Sequence, residues 1–435
     1  MKPFFYATAV ASAMITAPAI ATANELTIAT VNNGHMITMQ RLAAEFIDQN
    51  PGTSLNWVTF SEGELREQVT KDITEQRGQF DVMTIGMYEA PIWGERGWLA
   101  PLEFSASYDQ DDLLPAIRDG LSHEGTLYAA PFYGESSMIM YRSDLMRQAG
   151  VTLSNNPSWD DVIAAAEAMT DRDNGTYGIC LRGKPGWGDN MAFLTTMANS
   201  YGAQLFDENW RPTLNSDEWE TAVTLYIDTL TKYGPPGSEG NSFNEILSLF
   251  NAGRCGMWID ATIAASFITD PEQSEVASDV AFAQAPSGVT SKGANWLWAW
   301  ALAVPAGSNA TEEATDFIEW ATSKAYIDLV GERRGWGQVP TGTRQSTYRN
   351  GQFQQAAVFA DAELNAILSA NPSDSTLNPT PYVGVQFASI PEFADIGGYM
   401  GQQMTLALQG DLSVEDALAN AQAYAEKTMS EAGYY

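Results

Sequence analysis

The chain has 435 residues, which is long for one compact core and fits two lobes of ordinary size with room for a cleft between them. An apolar content of 45% and 13 tryptophans supply material for packed cores and exclude disorder of the whole chain. Against 54 Asp and Glu stand only 22 Lys and Arg, a net charge of −32, so the surface repels phosphate backbones and anionic headgroups and speaks against nucleic-acid or membrane-surface binding.

In chain order, Lys2 is the one charged residue before Glu25, an apolar run covers residues 4–20, and Ala21-Thr22-Ala23 follows as a small-x-small site. This pattern predicts a signal peptide over residues 1–23, cleaved before Asn24. With no cysteine at the cut, a lipid anchor is not expected, and the mature chain is placed free in the periplasm. The two cysteines, Cys180 and Cys255, are most simply paired in that oxidising compartment, with two buried free thiols as the alternative.

Residues 26–31 read as a strand, 32–35 as a turn, and Met39, Leu42, Ala43, Phe46 and Ile47 recur at helical spacing until Pro51-Gly52. A second strand over 55–59, a helix opening at Ser61 with Glu64 completing a capping box, and a third strand over 81–85 make a βαβαβ unit. Ligands in such sheets lie beyond the carboxyl ends of strands, which points to the loops at 32–35 and 86–89. Residues 128–141 form two strand-like runs broken at Gly134, a first crossing to a second lobe. Helices are predicted over 159–169, 191–201 and 218–232, with a Gly- and Pro-rich loop over 182–189. The run 299–304 ends at Pro305 and leads into a helix near Thr311, a crossing back, and the loop over 371–381 is a third. The expected division is residues 24–132 with 303–375, and 133–302 with 376–435.

Three stretches together carry a resemblance. They are Gly178-Ile-Cys-Leu-Arg-Gly-Lys-Pro-Gly-Trp-Gly188, Arg254-Cys-Gly-Met-Trp-Ile-Asp-Ala-Thr262 and Gly293-Ala-Asn-Trp-Leu-Trp-Ala-Trp300, in a chain that closes on the helix of Gly410-Asp-Leu-Ser-Val-Glu-Asp-Ala-Leu-Ala-Asn-Ala-Gln422. The mature chain resembles the extracellular solute-binding proteins of ABC carbohydrate importers, the maltose-binding-protein-like group, and within it the sorbitol and mannitol binders. The resemblance implies an α/β fold of two lobes joined by a multi-strand hinge, a linear polyol closed between them, delivery to a pair of membrane permease subunits, a monomer, and no cofactor.

A polyhydroxylated ligand offers donors, acceptors and apolar C–H faces, so its site needs mixed polar groups and aromatic plates. Trp296, Trp298 and Trp300 alternate at strand spacing and would share one face, with Trp298 the expected plate. Trp187, between two glycines in a loop, and Trp336, in Gly335-Trp-Gly337, are further plates, each with local packing as the plainer reading. Glu135, Arg182 and Asp260 are expected to bind hydroxyls through charge-assisted bonds, although Arg182 and Asp260 read equally as an internal salt bridge. Asn33 and Tyr88 sit at the ends of the first and third strands, with a turn residue and a core aromatic as their plainer readings. No metalloprotease, hydrolase-elbow or phosphate-loop motif occurs, and His35 and His123 stand apart with no metal-ligand spacing, so neither catalysis nor a metal is expected. A glycoside-acting enzyme needs only two carboxylates and stays the rival class; another sugar as ligand, or a role in presenting ligand to a chemosensor, is the nearer alternative.

Overall fold

The computed structural model describes residues 24–435; the expected signal peptide lies outside the described residues. Strand β1 (Asn24–Val31) runs parallel to β2 (Thr53–Phe60), with Leu26 opposite Leu55 and Ile28 opposite Trp57, and parallel on its other edge to β3 (Val82–Ile85). Parallel neighbours need a long crossover, supplied by helices Gly34–Leu42 and Ala44–Gln49 and then by Glu62–Thr74. Leu65, Val69 and Ile73 of the last helix lie one turn apart and bury one face against β1 and β3. Ser61 holds the N-cap position, but its hydroxyl accepts no capping bond, so the expected capping box does not form; complete boxes occur instead at Ser158 with Asp161 and Ser242 with Glu245.

Two further strands, β4 (Ala130–Glu135) and β8 (Trp298–Ala303), complete a five-stranded sheet in the order β2-β1-β3-β8-β4, with β8 antiparallel to both neighbours. The second lobe is built on an antiparallel sheet in which β5 (Ser137–Arg142) lies between β6 (Met257–Ala261) and β7 (Val280–Gln284). Because β4 and β8 both pair in the first sheet, the first two crossings fall at Ser136 and just before Trp298, a few residues away from 132/133 and 302/303. The break expected at Gly134 is also displaced. Gly134 lies inside β4, where a Cβ would sit 2.2 Å from the Gly342 carbonyl oxygen, so the glycine serves close backbone approach and the turn between lobes falls to Ser136. Ahead of the third crossing expected after 375, helix Ala360–Ser369 already packs on β5 and β7.

Cys180 and Cys255 are bonded, with Cα atoms 5.8 Å apart and a separation of 75 positions in sequence. Closing a loop of that length stabilises the folded chain by about 4 kcal/mol in the chain-entropy account. Locally the backbone of Cys180 bridges Trp258 of β6, so the same bond holds the segment leading to Arg182 against the strand that carries Asp260. Helix Asn190–Ser200 is buried along its whole length between Asp217–Tyr233 and Phe393–Gln409, which is why it lacks a polar stripe.

Candidate functional site

Between the lobes lies a narrow cleft with about 20 Å³ of free volume in this closed form. Glu62 and Arg66 reach it from the helix that follows β2, Glu135 from the end of β4, Arg182 and Trp187 from the second lobe's glycine-rich loop, and Gln386 from the loop after residue 371. Trp296, Trp298 and Trp300 also line it while Leu297 and Ala299 do not, as alternation along extended chain requires.

The charges in the wall are layered. Asp260 is fully buried behind Arg182, taking Nε at 2.8 Å and Nη2 at 2.7 Å, and it also accepts from Trp258 Nε1 at 3.0 Å and the Ala261 amide at 2.7 Å. Four donors hold that carboxylate, so its work is to fix the guanidinium fork. The remaining Arg182 nitrogen, Nη1, donates to the Gly188 carbonyl at 3.1 Å and faces Glu62 of the opposite lobe at 3.5 Å. Arg66 lies over Trp187, Trp298 and Trp300, its guanidinium carbon 4.6, 5.5 and 4.8 Å from the ring centroids.

Several polar atoms of this wall are buried without a protein partner: Arg66 Nε, Trp296 Nε1 and Trp298 Nε1. A buried donor left unpaired costs about 1–3 kcal/mol, a cost that a hydroxyl-bearing ligand removes. Burial pushes the Glu135 carboxyl well above its usual range, and the negative charge of Glu62 adds to the rise while Arg182 opposes it. Burial and the Glu62 charge both favour the protonated carboxyl, a form that offers a donor as well as an acceptor.

The lobes are closed on one another. Asn244 Nδ2 donates to the Asn32 carbonyl at 3.0 Å, and the His35 ring meets Ser266 Oγ at 3.1 Å and the Phe267 ring at 4.8 Å. At Gly34 a Cβ would fall 2.5 Å from the Phe267 ring, so this approach requires glycine. Burial pushes the His35 pKa down to about 3, leaving a neutral imidazole at the interface.

A family model described as bacterial extracellular solute-binding protein matches residues 33–327. The chain belongs to that family. It is 50% identical over 426 residues to a mannitol-binding protein of Pseudomonas aeruginosa, covering 98% of both chains, and 24% identical over 314 residues to an erythritol/L-threitol-binding protein of Mycolicibacterium smegmatis, covering 67% of this chain and 65% of the relative. Among solved structures, an ABC transporter solute-binding protein of Agrobacterium vitis with bound D-mannitol is 53% identical, with a TM-score of 0.93 over 94% of this chain and 99% of that one. A ribitol complex from Agrobacterium radiobacter, 24% identical over 94% of this chain and 99% of that one with a TM-score of 0.82, shares the fold. Among the described residues no helix is long and apolar enough to cross a membrane.

Of the residues singled out from the sequence of this solute-binding protein, Glu135, Arg182, Trp187 and Trp298 line the cavity. Asp260 stands behind it, in the internal-pair arrangement weighed from the sequence. Asn33 stands beside it, donating to Tyr133 Oη at 2.8 Å and Glu62 Oε1 at 3.3 Å, its own Oδ1 unpartnered. Tyr88 is a core aromatic: its hydroxyl is taken up by the carbonyls of Ile390 and Pro391, and its ring backs Trp187. Trp336 packs over Gly331 in a short turn away from the cavity. Glu62, Arg66 and Gln386 were not foreseen. The first two carried a signal, since the rule that ligands gather beyond the carboxyl ends of parallel strands applies to β2 as it does to β1 and β3. Gln386 sits in irregular chain, where no periodicity marks it.

Proposed function

We propose that this solute-binding protein captures a linear hexitol, D-mannitol foremost, between its two lobes and delivers it to an ABC permease. The carrying observation is the lining of the interlobe cleft, whose four indoles, two guanidiniums and two carboxyls match a neutral ligand with hydroxyls along an apolar carbon chain. The relatives at 50% and 53% identity, one named for mannitol and one holding it, support the same ligand class. Closure follows from differential contact: Glu62 and Arg66 come from one lobe and Arg182 and Trp187 from the other, so a ligand touching both favours the closed state. We take Arg66, Glu62, Glu135, Arg182, Trp187, Trp298 and Gln386 as its contacts, with Asn33 beside them and Asp260 acting through Arg182.

The protein is a binder and not an enzyme. We place the mature form in the periplasm as a monomer after removal of residues 1–23. The lobes are residues 24–132 with 303–375 and 133–302 with 376–435, shifted at the first two crossings to Ser136 and the segment before Trp298. The test is isothermal titration of the chain from Asn24, freed of carried-over ligand by unfolding and refolding, against D-mannitol, sorbitol, glucose and maltose. One-to-one heat from a hexitol, without turnover, is expected. Heat from maltose alone would keep the fold and discard the hexitol.

A further inference from the structure

A second, larger space lies on the far side of one wall of the ligand cavity. It is an open groove of about 440 Å³ lined by Met87, Pro91 and Ala116 of the first lobe and by Leu297, Val385 and Phe387, with Asp119 its one charged side chain. Volume alone would favour this groove over the interlobe cleft. Its chemistry does not, because both guanidiniums, the Glu62 and Glu135 carboxyls and the four tryptophans line the smaller space.

Sequence neighbours in two segments face opposite spaces and so form the partition between them. Trp296 and Trp298 line the inner cavity and Leu297, between them, lines the outer groove. Gln386 lines the inner cavity while its neighbours Val385 and Phe387 line the groove. The Gln386 carboxamide closes this seam by pairing with the backbone of Leu297 in both directions, accepting from its amide at 3.3 Å and donating to its carbonyl at 2.9 Å. Buried and tied at both ends, it cannot swing aside without leaving two backbone groups unpaired. To one side of the seam the Phe387 ring backs Trp187 and Trp298 edge-on, with centroids 6.2 and 5.9 Å away.

We infer that Gln386, backed by Leu297, is the residue that sets ligand length: it ends the cavity at one unbranched polyol chain and excludes alditols that carry a glycosyl substituent. This deepens the hexitol reading and rests on it. A glycosyl-alditol has the polyol half that the inner cavity suits and a sugar ring that the open, largely apolar groove accommodates, and the carboxamide seam is what separates them.

The test uses D-mannitol and maltitol, titrated directly and in competition, against the mature wild-type chain and the variants Gln386→Ala and Gln386→Ala with Leu297→Ala. Gln386→Ser, which keeps a small polar group beside the Leu297 amide, replaces either variant that does not fold. The wild type is expected to take D-mannitol and to prefer it strongly. In the variants the preference for D-mannitol over maltitol is expected to fall at least tenfold, through a gain for maltitol and not merely a loss for mannitol. A folded variant whose preference stays within about twofold of wild type overturns the inference, and so does a wild type that already binds maltitol as well as D-mannitol. If the wild type binds no hexitol, the underlying reading fails and the inference falls with it, an outcome told apart from the others by the first titration alone.

Discussion

Replacing Asp260 by alanine separates structural support from ligand contact at this site. The carboxylate is fully buried, is bound by both Nε and Nη2 of Arg182, and also satisfies Trp258 Nε1 and the Ala261 amide. Removing it leaves the Arg182 charge buried, with Glu62 at 3.5 Å its remaining ion-pair contact among the described residues. Breaking a buried pair from one side costs about 3–5 kcal/mol. At roughly 2–4 °C per kcal/mol for a folding unit of about 200 residues, Tm should fall by about 6–20 °C. The assay is thermal unfolding followed by circular dichroism, with and without saturating D-mannitol. Since Asp260 does not line the cavity, ligand should still raise the Tm of the variant. Asp260→Asn, which keeps an acceptor for Trp258, should fall between wild type and alanine. An Asp260→Ala protein with unchanged Tm and abolished binding would refute the layered reading and make Asp260 a direct ligand contact.

Other predictions follow from the same wall and from the hinge region. Because burial and Glu62 favour the protonated form of Glu135, Glu135→Gln, which mimics that form, should bind D-mannitol within a few-fold of wild type, whereas Glu135→Ala should weaken binding by about 1–3 kcal/mol, some 5- to 150-fold; equal losses in the two variants, by titration calorimetry, would contradict a protonated Glu135. Glu363 is buried near the first crossing, accepts from Tyr348 Oη at 2.7 Å and Thr341 Oγ1 at 2.8 Å, and is pushed up to about 7 by burial. A carboxyl whose folded pKa lies above its unfolded value contributes stability below the unfolded value of 4.5 and loses it as pH rises through about 7. Between those limits wild type should lose on the order of 3 kcal/mol relative to Glu363→Gln in guanidinium unfolding, and parallel pH profiles for the two proteins would remove Glu363 as the source.

Alternation of strand and helix over the first 85 residues was enough to read a parallel α/β lobe, because the 2- and 3.6-residue periods are local properties of the chain. The same locality made the tryptophan row legible: whatever the surroundings, extended backbone sends Trp296, Trp298 and Trp300 to one side, and all three face the cavity. The cysteine pair followed from compartment and number, and the glycine-rich loop marked Arg182 and Trp187. Other features depended on which distant segments meet. Asp260 was read from its strand end as either a ligand contact or half of an ion pair, and only the packing of the Cys180 segment beside β6 put it behind Arg182. Trp187 and Trp336 share the same Gly-Trp-Gly pattern, yet Trp187 meets Tyr88 and Trp298 across the cleft while Trp336 folds onto Gly331 of its own neighbouring helix. Gln386 carries no local mark of function, since it lies in irregular chain, and Arg66 is marked only by its place beyond the carboxyl end of β2. What makes them part of the site is the meeting of two lobes whose contributing segments lie hundreds of residues apart, a long-range arrangement that local periodicity does not encode.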